Sequence, residues 1–114
     1  MKIPESTRRS LDSRLGRHAR EHWPDLAGVT VRFRSNFAYV DGEIKDGLTI
    51  PLCRLRYVGL AGEWGFAVYR ASHDDYEESF LPTGRMGGSP EEALDCACGR
   101  YLADPTVWLM DFAG

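Results

Sequence analysis

The sequence predicts an α+β fold, in which an antiparallel sheet of about five strands follows a basic N-terminal helix and precedes a C-terminal helix that packs on one face of the sheet. Three observations support this prediction: helical spacing of apolar residues near the N-terminus, alternation with period two from residue 28, and a helix-start signal at Ser89. A chain of 114 residues can close one hydrophobic core, so residues 1–114 are interpreted as a single domain. We expect both helices to cover the same face, which leaves the other face of the sheet partly open.

The N-terminal helix is predicted at residues 6–22, because apolar and histidine side chains recur at helical spacing on one side. The members of this stripe are Leu11, Leu15, His18, Ala19 and His22. Pro24 ends the helix. The arginines lie on other parts of its surface, so their charge is expected to face outward.

The charge of the chain is distributed unevenly. Residues 1–22 carry six Lys and Arg against three Asp and Glu, whereas residues 23–114 carry eight against fourteen. A basic arm on an acidic body either pairs with that body or binds an anionic partner. The arginines of the arm that we consider for such a partner are Arg9, Arg17 and Arg20.

The middle of the chain is predicted to form a meander of antiparallel strands, because apolar and polar residues alternate between turn signals. The strands are expected at about residues 28–34, 37–44, 48–58, 64–68 and 76–81. Pro51 indicates that the third strand lies at an edge of the sheet or carries a bulge. The glycine-rich residues 82–88 predict a flexible loop.

The C-terminal helix has the clearest start signal in the sequence. Ser89 is a good N-cap, Pro90 suits the first helical position, and Glu92 can return a hydrogen bond to the Ser89 amide. The residues that share the expected core-facing side are Ala93, Leu94, Ala97, Cys98 and Tyr101. The pair Asp104 and Pro105 is expected to end the helix.

Residues 105–114 form an apolar tail. Trp108, Leu109 and Phe112 would leave a sizeable exposed patch, so we expect the tail to dock on its own domain or on a partner. A homodimer is favoured, because the open sheet face also needs cover.

The three cysteines indicate a reducing compartment. Cys53, Cys96 and Cys98 are odd in number and lack the spacing of a secreted disulfide framework, so they are interpreted as thiols, with Cys53 and Cys98 in the core. The chain has neither the apolar start of a signal peptide nor an apolar run long enough to span a bilayer. These features predict a cytoplasmic protein that does not bind membranes.

The sequence contains no recognisable catalytic motif, and we predict neither an enzyme nor a cofactor. His18 and His22 have the spacing of two metal ligands on a helix, but a third ligand and a neighbouring general base are not evident. Cys96 and Cys98 point to different sides of a helix and cannot share one ion. No metal site is therefore predicted.

Arginines on two predicted strands are the most informative polar residues. Arg32 and Arg34, and likewise Arg54 and Arg56, lie on the faces of their strands opposite the apolar side chains. With Tyr39 and Tyr69 they would line the open sheet face, as in modules that stack bases and contact phosphates. The competing interpretation is that they pair with carboxylates of neighbouring strands, namely Asp41, Glu43, Glu63, Glu77 and Glu78.

One part of the chain resembles a known family. The run from Gly62 to Val68, followed by a strand, a glycine loop and the run from Gly88 to Leu94, is similar to the core of HicB-type antitoxins. The resemblance covers residues 62–103 and implies a small intracellular domain that binds a partner.

These observations favour a non-enzymatic domain for protein–protein interaction or self-association, which uses the open sheet face and the apolar tail. The alternative is nucleic-acid binding by the arginines of the helix and the sheet, namely Arg9, Arg17, Arg20, Arg32, Arg34, Arg54 and Arg56.

Overall fold

The computed structural model of the chain describes residues 2–44, 47–70, 73–81 and 83–101. The helices are α1 (Glu5–His22) and α2 (Pro90–Tyr101), and the strands are β1 (Leu26–Arg34), β2 (Phe37–Ile44), β3 (Thr49–Leu60), β4 (Glu63–Arg70), β5 (Asp75–Glu78) and β6 (Gly87–Gly88). Strands β1 to β5 are neighbours in chain order and antiparallel, and β6 pairs with β4. The predicted α+β class, the meander and the two flanking helices are confirmed.

Helix α1 packs on the sheet through one stripe of small and aliphatic side chains. Leu11, Leu15 and Ala19 are buried in the core, as their spacing predicts. His22 belongs to the predicted stripe, but its side chain is 57% exposed, so this part of the prediction is wrong. It lies in the last helical turn, and Trp23 directly after the helix contacts the core instead.

Strand β3 lies in the middle of the sheet and contains a bulge. Val40 pairs with Cys53 and Asp41 pairs with Pro51, so Leu52 is an extra residue without an opposite partner. The bulge lets both Leu52 and Cys53 face the core. Of the two alternatives predicted from Pro51, the bulge is confirmed and the edge position is wrong, because β2 and β4 flank β3.

The glycine-rich segment after β5 differs from its prediction as a loop. Its last two residues, Gly87 and Gly88, form β6 opposite Gly65 and Trp64. A Cβ atom on Gly87 would lie 2.5 Å from the Trp64 carbonyl oxygen, so only glycine permits this close pairing. The fifth strand ends at Glu78, earlier than predicted.

Helix α2 begins with the predicted reciprocal cap. The Ser89 amide donates to Glu92 Oε1 at 3.0 Å, and the Glu92 amide donates to Ser89 Oγ at 3.1 Å. Of the predicted core-facing residues, four are buried, namely Ala93, Leu94, Ala97 and Cys98. Small side chains let α2 approach β3, β4 and α1 closely.

The core lies between the two helices and one face of the sheet. Its largest fully buried side chains include Trp64, Phe66 and Leu55, and Cys53 and Cys98 fill it as predicted. Because successive strand residues point to opposite faces, the side chains between these core positions lie on the face away from the helices. Within the described residues, neither helix is long and apolar enough to cross a membrane.

Candidate interaction surface

The sheet face away from the helices, called the open face below, presents two rows that alternate arginine and aromatic residues. Each row contains one residue from β1, one from β2 and one from β3, and the three are direct cross-strand neighbours. The rows are Arg34–Phe37–Arg56 and Arg32–Tyr39–Arg54. The four arginines that the period-two pattern predicts opposite the core residues thus lie on one continuous surface.

The guanidinium groups of Arg32 and Arg54 lie over aromatic rings. Arg54 Cζ lies 4.5 Å from the centre of the Phe37 ring and 5.7 Å from that of Tyr76, and Arg32 Cζ lies 5.4 Å from that of Tyr39. The Tyr39 and Tyr76 rings meet edge to face at 5.4 Å. These cation–π and ring contacts pack Arg32 and Arg54 against the aromatic centre of the open face.

Two of the four arginines have carboxylate partners, as the competing interpretation predicts. Arg32 Nε donates to Asp41 Oδ2 at 3.0 Å, and this hydrogen bond raises the pKa of the Arg32 guanidinium. Arg54 Nη2 lies 3.6 Å from Glu78 Oε1. Among the described residues, no carboxylate lies within 4.0 Å of Arg34 or Arg56.

Arg56 lies across strand β4, where the neighbouring position is glycine. A Cβ atom on Gly65 would lie 3.1 Å from Arg56 Nε, so the absence of a side chain lets the guanidinium extend over β4. There Arg56 borders a shallow groove whose other walls include Val58, Arg85 and Met86. Arg85 is bonded to Glu63, whereas Arg56 is exposed and has no ion pair with any described residue.

Asp41 is a buried carboxylate on the open face, on the side of Tyr39 away from Arg34 and Arg56. Asp41 is 8% exposed, and its Oδ1 atom has no hydrogen-bond partner within the described part of the chain. Burial raises the pKa of the nearby Tyr76 hydroxyl to about 12, and the charge of Asp41 adds to the rise. Glu43, the next residue of β2 on this face, is exposed and accepts a weak hydrogen bond from Thr30 at 3.4 Å.

The basic surface of α1 is separate from the open face. Arg9, Arg17 and Arg20 are exposed on the outer side of α1, as predicted, but α1 packs on the opposite face of the sheet. The helix arginines and the sheet arginines therefore do not form one surface, because the thickness of the sheet separates the two sets. Arg9 pairs with Glu5 one turn earlier, and Arg20 lies in the last turn, where positive charge stabilises a helix.

The predicted contact residues of the tail, Trp108, Leu109 and Phe112, lie outside the described residues.

The seam between the helices contains a polar cluster that sequence reasoning did not find. Asp95 Oδ1 accepts hydrogen bonds from His18 Nε2 at 2.7 Å and from Trp23 Nε1 at 2.9 Å, and the His18 and His22 rings lie 4.3 Å apart. No group of three His, Cys, Asp or Glu side chains in the described residues is arranged to hold a metal ion. His18 instead joins α1 to α2.

Sequence reasoning also missed two aromatic members of the open face. Phe37 lies two residues before Tyr39 in β2 and therefore points to the same face, so the alternation pattern could have predicted its position. Tyr76 reaches Tyr39 from β5, three strands away in the sheet order, which only the tertiary structure reveals.

Comparisons with protein-family models, with curated proteins and with solved structures find no match to this chain. The similarity of residues 62–103 to the HicB-type antitoxin core therefore stays a prediction from the sequence.

Proposed function

We propose that this protein is a non-enzymatic interaction domain that binds another protein molecule through the open face. The observation that carries the proposal is the pair of Arg–aromatic–Arg rows on an exposed sheet surface. Arginine and aromatic residues dominate the binding energy of protein interfaces, because they combine a large apolar area with directional polar contacts. Rings and guanidinium groups that already pack together lose little side-chain entropy when a partner binds.

Exposed apolar residues next to the basic rows support the proposal. Val58 is 44% exposed and Met86 is 48% exposed, and both line the groove beside Arg56. Apolar area beside the exposed guanidinium group of Arg56 matches the mixed composition of an interface core and rim. A partner with apolar side chains and carboxylates would satisfy both features.

The proposed location of this activity is the cytoplasm. None of the three cysteines, Cys53, Cys96 and Cys98, forms a disulfide in the structure, which supports a reducing compartment.

Site-specific photo-crosslinking in cells tests the proposed surface. A benzoylphenylalanine at Val58 replaces an exposed residue of the open face, and the same group at Arg17 probes the exposed outer side of α1 as a control. We expect protein adducts from position 58 and few or none from position 17. Adducts from position 17 with none from position 58 would overturn the proposal.

Nucleic-acid binding is a second candidate, favoured by the lack of carboxylate partners for Arg34 and Arg56 within the described residues. It is weakened by Asp41, Glu43 and Glu78 on the same face, since these carboxylates repel phosphates. Anisotropy with labelled single-stranded RNA and DNA tests it. Binding that falls steeply with salt and is lost in R34E/R56E, but not in R17E/R20E, would establish this candidate.

A further inference from the structure

We infer that the protein bound by the open face is a second copy of this chain, in a two-fold symmetric dimer. This inference rests on the proposed function, because it names the occupant of the same surface. A two-fold interface requires a surface that is complementary to itself, since every contact between two different residues occurs twice.

The open face has opposite charges at its two ends. Arg34 and Arg56 flank Phe37 where β1 ends and β2 begins, and both lack a carboxylate partner among the described residues. At the other end of the same face of β2, Glu43 is exposed, whereas Asp41 before it is buried and bonded to Arg32. At about 3.4 Å per residue, Phe37 and Glu43 are about 20 Å apart along the strand. The basic and acidic ends are therefore well separated on one surface.

A two-fold axis that lies in the interface and crosses the strands near Tyr39 pairs these ends. It places Arg34 and Arg56 of one copy opposite the exposed Glu43 of the other copy, and the symmetry repeats this contact. The aromatic centre of each face then meets that of the other copy. An axis along the strands would instead set Arg34 and Arg56 against the same two residues of the other copy. In the first arrangement the arginines that meet their own copies, Arg32 and Arg54, are those with carboxylate partners, so charge favours the first arrangement.

The size of the open face limits the strength of this dimer. Five strands spaced about 4.8 Å apart, with about eight residues each, cover roughly 500 Å² per copy. The total of about 1,000 Å² lies at the lower limit for specific interfaces. We therefore expect a reversible dimer that depends on protein concentration and weakens as salt screens the charges.

Sedimentation equilibrium of charge-reversed variants tests the inference. R34E/R56E makes both ends acidic, and E43R/T49R makes both ends basic, with Thr49 directly opposite Glu43 on β3. All four side chains are exposed, so the fold should be retained, and circular dichroism checks this. Each variant alone should dimerise about tenfold or more weakly than the wild type.

The equimolar mixture of the two variants is the decisive sample. In the mixed dimer, the end that R34E/R56E makes acidic meets the end that E43R/T49R makes basic. The other contact pairs the native basic end of one chain with the native acidic end of the other. The mixture should therefore regain the wild-type affinity within about threefold, since both charge pairings are restored. R17E/R20E carries the same charge change as R34E/R56E on α1 and should dimerise like the wild type.

A wild-type chain that stays monomeric at high concentration, or a mixture that stays dissociated, would overturn the second-copy inference. The crosslinking experiment separates this failure from that of the proposed function. Adducts from position 58 to a different protein would leave the interaction domain standing and remove the homodimer. Adducts from position 17 alone would remove both.

Discussion

Arg14 of α1 and Glu91 of α2 form a two-point ion pair across the helix seam. Arg14 Nε donates to Glu91 Oε2 at 2.8 Å, and Arg14 Nη2 donates to Glu91 Oε1 at 2.7 Å. Each side chain keeps about a third of its surface exposed, at 32% and 28%. This bidentate geometry joins the two helices through residues that are 77 positions apart in sequence.

The first prediction concerns the energy of this pair. In a double-mutant cycle of Arg14→Met and Glu91→Gln, we expect a coupling of about 0.5–1 kcal/mol in the free energy of unfolding, discounted for solvent screening. Arg17→Met on the same helix is the control and should change the stability little, because Arg17 is exposed. A coupling within error of zero would contradict a stabilising role.

The pH dependence of this pair has a defined sign. Burial alone would raise the pKa of Glu91, but the hydrogen bonds from Arg14 and from the backbone outweigh it, and the pKa is lowered. The pair therefore contributes stability above the ordinary glutamate pKa and loses it as the pH falls through the lowered pKa. Chemical denaturation of Glu91→Gln should show a shallower loss of stability in acid than the wild type.

The second prediction concerns the cap of α2. Ser89→Ala removes the acceptor of the Glu92 amide and should destabilise the protein by about 1 kcal/mol without changing its fold. Ser13→Ala, at an exposed position inside α1, is the matched control and should be neutral or slightly stabilising. Equal melting temperatures for Ser89→Ala and the wild type would refute the cap.

The third prediction contrasts two glycines. Gly87→Ala should destabilise the protein by more than about 1 kcal/mol, because its Cβ would collide with the Trp64 carbonyl oxygen and force β6 from β4. Gly99→Ala should stabilise it by about 0.5–1 kcal/mol, because the site lies inside α2 and, apart from α2 itself, no described atom lies within 4 Å of the added Cβ. Thermal melts measure both, and a tolerated Gly87→Ala would contradict the β4–β6 pairing.

The fourth prediction concerns thiol reactivity. Burial raises the pKa of the Cys53 thiol far above its usual value and that of Cys98 to about 12, so both stay protonated and inaccessible in the folded protein. Ellman's reagent should label at most one thiol in native buffer and three in denaturant. Rapid native labelling of a Cys96→Ser variant would show that the core is not closed around the other two.

Local patterns were sufficient for most elements of the fold. The alternation in residues 28–44 predicted two strands and the direction of their arginines, because strand parity is a property of the backbone. The signal around Ser89 predicted the start of α2, because all members of the cap lie within four consecutive residues. The pairing of Gly87 with Gly65 was not predictable in this way, since it depends on backbone atoms distant in sequence.

The sequence by itself determined the fold class, the order of the elements and the side of each strand on which the open-face arginines lie. These properties follow from local spacing, which the backbone geometry of helices and strands converts directly into faces. Only the tertiary structure decided that Arg32 and Arg54 have carboxylate partners and rest on rings, that Arg34 and Arg56 have no such partners among the described residues, and that α1 lies on the opposite face. These relationships depend on strand register and on packing between residues far apart in the chain, and no local pattern carries that information.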